Sequence, residues 1–275
     1  GGIPVVRAFY DGLIANRIEA FYGIVNGTCN FILTAMIKTG STYAEALKSA
    51  QEIGLAEADP TLDVSGTDSA HKLAILSALA FGRNIDFDRI SVEGIDTLEA
   101  VDLSFGQELG YVMKLLAVAQ RTADGISLRV RPSFINLDHP LAWISGPFNA
   151  VSVYGHNVGH TMYYGRGAGG APTASAVVAD IVAIASGAYN EHFKQLNIWQ
   201  DGSEKAEQLP TECLTSRYYL RLTVIDRPGV FAQLARIIGD HGISISSVLQ
   251  KEIPEANDAE GVHVVITTHT ANEGN

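Results

Sequence analysis

The chain has 275 residues, enough for one large domain or two smaller ones. A net charge of −11, spread along the chain, argues against nucleic acid and anionic membrane as partners, and a hydrophobic content of 47% is ordinary for a globular protein. Cys29 and Cys213 lie far apart, in neither a metal-ligand spacing nor a disulfide framework; no apolar run reaches transmembrane length and no signal peptide is seen, so a cytoplasmic setting is expected.

Residues 4–13 read as a short helix with Pro4 near its start, and residues 18–25, rich in Ile, Val, Phe and Tyr, as a strand. Asn26 and Gly27 read as a turn, followed by a helix over 31–38 that Gly40 ends. Thr42 and Glu45 form a capping box opening a helix to about residue 53, with Gly54 as its C-terminal glycine. From 89 to 163 strands dominate. Ala123, Asp124 and Gly125 mark one hairpin, His156 and Asn157 a second, and a helix over 98–109 precedes them. The pattern predicts an α+β fold, a mixed or mostly antiparallel sheet covered by helices.

Residues 165–170 contain GxGxxG before a helix over 173–186, but no second parallel strand follows, so a complete nucleotide domain is rejected here. What survives is smaller: the glycines permit close backbone approach and the helix N-terminus favours an anion, and a tight glycine turn into a helix accounts for the run equally well. Residues 191–216 are polar and read as a linker, with a short ordered segment around 193–199. A new unit then runs strand (218–224), turn, helix (231–241), strand (243–250), strand (262–268).

The stretch with most chemistry is 54–72, GLAEADPTLDVSGTDSAHK. Pro60 and Gly66 make most of it loop; Thr67 is the expected N-cap of a buried helix, with Asp68 in its first turn and Lys72 four residues on, on the same face. One reading is a solvated acidic loop with a capped helix and a surface ion pair. The other is a site where Glu57, Asp59, Asp63 and Asp68 converge near one ammonium. Such a site suits a zwitterionic substrate, with a lysine at the core boundary poised to carry a proton. His71, His156 and His160 read as structural, and Tyr163 and Tyr164 as sheet residues.

Taken together, Gly54, Leu55, Ala56, Glu57, Ala58, Asp59, Pro60, Asp63, Gly66, Asp68 and Lys72 resemble the signature of homoserine dehydrogenases. The opening GGIP, NGTCN at 26–30 and GAG at 167–169 extend the likeness over nearly the whole chain. The last unit resembles an ACT regulatory domain, a ferredoxin-like βαββαβ module, through Asp226, Arg227, Pro228, Gly229 and Val230 and the run GISI at 242–245. The implied organisation is a substrate-binding and catalytic domain over 1–190, a linker over 191–216 and a truncated ACT domain over 217–275. That order matches the monofunctional enzyme type. The chain is expected to be a fragment, lacking an N-terminal Rossmann half with a second functional lysine and the end of the ACT domain. By itself it is not expected to turn over. A chain stopping after the third ACT strand should leave that strand unpaired and in search of a partner edge.

The resemblance implies NAD- or NADP-dependent interconversion of aspartate 4-semialdehyde and L-homoserine, in threonine, methionine and isoleucine biosynthesis. It implies Lys72 and Asp68 as catalytic, and Glu57, Asp68, Gly27, Thr28 and Asp63 as substrate-binding. Gly54, Gly167 and Gly169 would face the cofactor, and the backbone carbonyls of Gly1 and Ile3 would hold a monovalent cation, sodium or potassium. It also implies threonine as an allosteric effector and, because ACT domains pair across a two-fold axis, a homodimer or homotetramer. The competing reading is a non-catalytic module that binds an amino acid.

Overall fold

The computed structural model describes residues 2–188, 204–251 and 261–275. The chain divides into two compact units, 1–208 and 209–275.

The first unit runs α1 (Val5–Tyr10), β1 (Ile18–Ile24), α2 (Gly27–Thr39), α3 (Tyr43–Glu52), α4 (Thr61–Val64), α5 (Thr67–Phe81), β2 (Ser91–Val92), α6 (Ala100–Glu108), β3 (Tyr111–Arg121), β4 (Ile126–Asn136), β5 (Phe148–Gly155), β6 (Gly159–Arg166) and α7 (Gly170–Ala185). Its strands form one sheet in the order β2-β4-β3-β1-β5-β6. Every pairing is antiparallel except β2 with β4, so the sheet is mixed, as the hairpin signals predict.

β3 lies near the middle because its run Val112–Ala119 is apolar on both faces apart from Lys114. Alternate side chains build two cores. Met113, Leu115 and Ala117 pack with Phe21, Val151 and Val153 and with Ile32, Leu33, Leu73 and Leu76 of α2 and α5. On the other face Val112, Leu116 and Val118 pack with Ile24, Ile135 and Ala150 beneath Leu141 and Ile144. The capping box is present, with Glu45 N donating to Thr42 Oγ1 at 3.3 Å and Thr42 N to Glu45 Oε2 at 2.8 Å. Gly54 follows α3 with φ 70°, and Gly82 closes α5 with φ 62°.

Three local readings are corrected. Asn26 is not a turn residue but the N-cap of α2, which starts four residues earlier than expected. Thr67 is the first residue of α5 and not its cap; Gly66, at φ 84°, takes the cap position and the Thr67 hydroxyl pairs with Ser65 Oγ at 2.8 Å. The acidic stretch is also less of a loop than Pro60 implied, because α4 forms within it. The glycine run 165–170 joins β6, an edge strand antiparallel to β5, to α7, so it is not a parallel crossover unit. Residues 204–208, read as linker, pack in this unit: Ala206 is buried and Gln208 Nε2 donates to Asp86 O at 3.0 Å. Residues 193–199 lie outside the described residues.

The second unit runs β7 (Thr215–Ser216), β8 (Tyr219–Val224), α8 (Val230–Asp240), β9 (Ile245–Gln250), β10 (Val262–Thr268) and β11 (Ala271–Asn272). Its antiparallel sheet has the order β8-β10-β9, over which Ile238 of α8 packs with Val264 and Ile266. The third strand, β10, is thus the central one and is paired on both sides; the expectation of an unpaired third strand is wrong. β11 pairs with β7, a contact the sequence reading did not contain.

Candidate active site

β1 ends at Ile24, and Asn26 takes an extended conformation (φ −123°, ψ 112°) before α2 begins. Asn26 Oδ1 accepts from Cys29 N at 2.9 Å, the standard N-cap bond. With its oxygen so engaged, the amide nitrogen faces the acidic stretch. It donates to Asp63 Oδ1 at 2.7 Å and Asp68 Oδ2 at 2.8 Å. Asp68 Oδ2 also accepts from Lys72 Nζ at 2.6 Å, one helical turn along α5, and Lys72 Nζ donates to Val25 O at 3.0 Å. The side chains of Lys72 and Asp68 are 44% and 23% exposed, so the pair is open to a ligand and its strength is screened by water. Among the described residues two acceptors take ammonium N–H groups of Lys72, which leaves the third for a ligand.

The convergence of four carboxylates is half right. Asp63 and Asp68 meet at Asn26. Asp59 instead accepts from the Thr61 hydroxyl at 2.6 Å and from Thr61 N at 3.1 Å, which hold its carboxyl below the usual range. Glu57 is exposed, and among the described residues no hydrogen bond or ion pair joins its carboxylate to the cluster. Its loop is anchored nearby, since Thr28 Oγ1 donates to Leu55 O at 3.2 Å and Gln51 Nε2 to Glu57 O at 3.1 Å. The Cys29 thiol donates to Asp63 O at 3.2 Å; burial, then Asp63 and Asp68, push its pKa up, so it is an inert thiol. His71 stacks on Phe87, with ring centroids 4.7 Å apart, in keeping with a structural part.

The predicted glycines divide by cause. Gly27 and Gly167 lack side chains because neighbours fill the space. A Cβ on Gly27 would lie 2.9 Å from Pro147 O, and one on Gly167 would overlap the Asn149 amide at 2.0 Å. Gly54 (φ 70°) and Gly169 (φ 119°) are glycines for their backbone angles, and the space beside them is open or in ordinary contact. Gly2 N donates to Gly167 O at 3.2 Å and the Ile3 side chain packs on Gly165, so the segments 2–3, 27–28, 147–149 and 165–169 adjoin. Ile3 O accepts from Val5 N at 2.9 Å, and Gly1 lies outside the described residues. Among the described residues no cluster of three or more His, Cys, Asp or Glu could hold a metal ion.

Several residues here escaped the sequence reading. Asn30 Nδ2 donates to the carbonyls of Ile144 (3.3 Å), Gly146 (2.9 Å) and Phe148 (3.1 Å), and buried Lys114 donates to Asn30 Oδ1 (3.2 Å) and Ile144 O. Together they pin the loop that brings Pro147 against Gly27. The signal for Lys114 was a charge inside an otherwise apolar strand; the signal for Asn26 was a favoured cap residue just before a helix. A groove of about 650 Å³ on the opposite face of the sheet, lined by Tyr22, Phe134, His139 and Tyr154 among others, contains none of the predicted site residues.

Comparison with known proteins follows the same division of the chain. The homoserine dehydrogenase family profile matches residues 4–182 and the ACT domain profile residues 218–274. A homoserine dehydrogenase of Helicobacter pylori is 45% identical over 273 residues, covering 99% of this chain and 63% of that protein. The crystal structure of a homoserine dehydrogenase from Thiobacillus denitrificans superposes with a TM-score of 0.87 at 44% identity, over 99% of this chain and 62% of that one. A hyperthermophilic archaeal homoserine dehydrogenase in complex with NADPH matches with a TM-score of 0.56 at 28% identity, over 66% of this chain and 52% of that one. The chain therefore spans a little under two thirds of the length of the curated relatives it matches. With a profile match over most of its length, an ACT unit after it, and this similarity to proteins of that name, the chain belongs to the homoserine dehydrogenase family.

Proposed function

We propose that the whole protein is an NAD(P)-dependent dehydrogenase interconverting L-homoserine and aspartate 4-semialdehyde. The observation that carries this is the continuous hydrogen-bonded run from Asp63 through Asn26 and Asp68 to Lys72, which among the described residues leaves one lysine N–H uncommitted at a partly open site. When bound, the nicotinamide supplies or accepts the hydride. In the reducing direction Lys72 hydrogen-bonds the aldehyde oxygen through its remaining N–H and delivers the proton as that oxygen becomes a hydroxyl. In the oxidising direction Lys72 takes that proton back. Asp68 aims the lysine and, with Glu57 and Asp63, offers carboxylates to the substrate ammonium. Gly27 and Thr28 border this group at the start of α2.

The cofactor reading rests on backbone character. Gly54 and Gly169 present bare, open backbone, and Gly169 caps α7 without a side chain, leaving amide N–H groups for an anion. These features fit a dinucleotide, and the archaeal relative described with NADPH supports that class. Gly167 belongs to the same loop. A monovalent cation, sodium or potassium, at the carbonyls of Gly1 and Ile3 is part of the reading, as are threonine as effector and a homodimer or homotetramer; their support is the family membership and the ACT unit.

The test is homoserine-dependent reduction of NAD(P)⁺ by the full-length protein beside its Lys72→Ala variant. We expect turnover by the parent and a loss of about 10³-fold in kcat for the variant, within the usual range for a positioned acid–base group, with circular dichroism unchanged. A folded, cofactor-binding parent that does not oxidise homoserine overturns the reading.

A further inference from the structure

We propose that Asn26 is a positioning residue of this site, a neutral double donor that holds Asp63 and Asp68 side by side so that Asp68 meets Lys72. The inference rests on the homoserine-site reading above and deepens it.

The amide orientation is fixed by its partners. Asn26 Oδ1 must face Cys29 N–H at 2.9 Å, because a flipped amide would set two donors against each other and its oxygen against two carboxylates. Both N–H groups of Nδ2 are then used, one on Asp63 Oδ1 and one on Asp68 Oδ2, at 2.7 and 2.8 Å. Asn26 is 6% exposed, so its amide is held inside the fold while the two acids stay partly open. Among the described residues the amide is the donor that reaches the Asp63 carboxylate, whereas Asp68 also has Lys72. Without the amide, Asp63 would be an unsatisfied carboxylate beside a second one, with Lys72 the nearby cation. The lysine would then be shared between two acids instead of being aimed by one. One short side chain thus does two jobs. It starts α2, which carries Gly27 and Thr28, and it fixes the acids on α4 and α5, so three elements hold one geometry.

The two jobs separate experimentally because aspartate and serine are also good N-caps. Asn26→Asp keeps the cap acceptor and the shape but removes both donors. Asn26→Ser keeps the cap on a shorter side chain that does not reach both acids. In the full-length protein we expect both variants to fold with circular dichroism like the parent's, Asn26→Asp being the less stable because a third carboxylate faces Asp63 and Asp68. Their kcat for homoserine should fall by about 10- to 100-fold, as misplacement of a reacting group by about 1 Å does, with KM for the dinucleotide unchanged. The charged groups facing the amide are Asp63 on α4 and Asp68 and Lys72 on α5, and the Cys29 thiol of α2 is neutral. A third carboxylate there should move the acid limb of the Asn26→Asp pH profile upward, and the uncharged Asn26→Ser separates that charge effect from loss of positioning. Parent-like kcat and pH profile in Asn26→Asp overturn the proposal. The crystal structure of Asn26→Ser gives a second arm that needs no turnover. The Asp63 carboxylate should turn away from Asp68, and both acids keeping their places would also overturn it. A parent inactive on homoserine sinks the functional reading alone, and the crystallographic arm still decides the role of Asn26.

Discussion

Lys114 is 2% exposed in the middle strand of the sheet, and no carboxylate is bonded to it among the described residues; its acceptors are Asn30 Oδ1 and Ile144 O. Burial, with a smaller contribution from Lys38, lowers its pKa from 10.5 to about 8. Relative to the unfolded chain, the fold therefore disfavours the charged ammonium. The cost of this group is full below about pH 8 and fades as the pH rises toward 10.5, so the fold gains about 3 kcal/mol from it across that window. The neutral amine still has two N–H groups for its two acceptors, so the loop it pins is kept. Urea unfolding of the parent and of Lys114→Met from pH 7 to 10.5 checks this. The parent should gain on the variant by about 3 kcal/mol over the range, since other groups cancel in the difference. A difference that is flat with pH would show that Lys114 is charged in the fold throughout. Such a residue announces its burial in the sequence, as a lone charge in VMKLLAVA, but not its partners, which come from segments 84 and 30 residues away.

Helix α5 ties the site to the fold through its first cap. Gly66 has φ 84°, and a Cβ there would lie 3.2 Å from Val92 Cγ1 and 3.3 Å from Glu93 O and Val130 Cγ1. Gly66→Ala therefore adds left-handed strain to crowding at the point from which Asp68 and Lys72 are aimed. We expect a loss of about 1–3 kcal/mol and, because the start of α5 must shift, about a tenfold fall in kcat. Gly82→Ala at the other end of α5 is the control. It has the same left-handed angle (φ 62°) but nothing within 4 Å, so stability should fall while kcat holds. Loss of activity in both variants would mean that global instability, not the placement of Asp68, is being read. The contrast also marks what was legible in the sequence. Elements bounded by strong local chemistry, such as the Thr42–Glu45 box, Gly54 and the Gly125 hairpin, lie where the sequence puts them. Those that depend on tertiary partners do not. α4 is too short to show a period, β7 and β11 are two residues each, and Thr67 looked like a cap because the glycine before it could not be seen to turn left-handed. At the site the residue types were readable from the signature; that Asn26 joins the acids, and that Asp59 is taken up by Thr61, required coordinates.

At the scale of the chain, the candidate site and the second small core lie in different units. The Asp63–Asn26–Asp68–Lys72 run, its pinned glycine loops and the mixed sheet all fall within residues 1–208, whereas residues 209–275 carry their own sheet, helix and small core. A unit with its own core is built to fold as one piece, and the profile match assigns it to the ACT domain family. If the unit senses an amino acid, inhibition and the proposed catalysis should be separable in the full-length protein. Threonine should lower the turnover of the parent at subsaturating homoserine. A version ending after Gln208 should keep kcat within about threefold and lose the response, because a ligand shifts only the equilibrium of states it binds differently. Gln208 must be retained, since it bonds Asp86 and Arg89 in the first unit and cutting before it would damage that unit. Threonine inhibition that survives the deletion would place the effector site among residues 1–208 and leave the second unit an assembly module. A protein that loses turnover and unfolds on deletion would instead mean that the two units are one thermodynamic body.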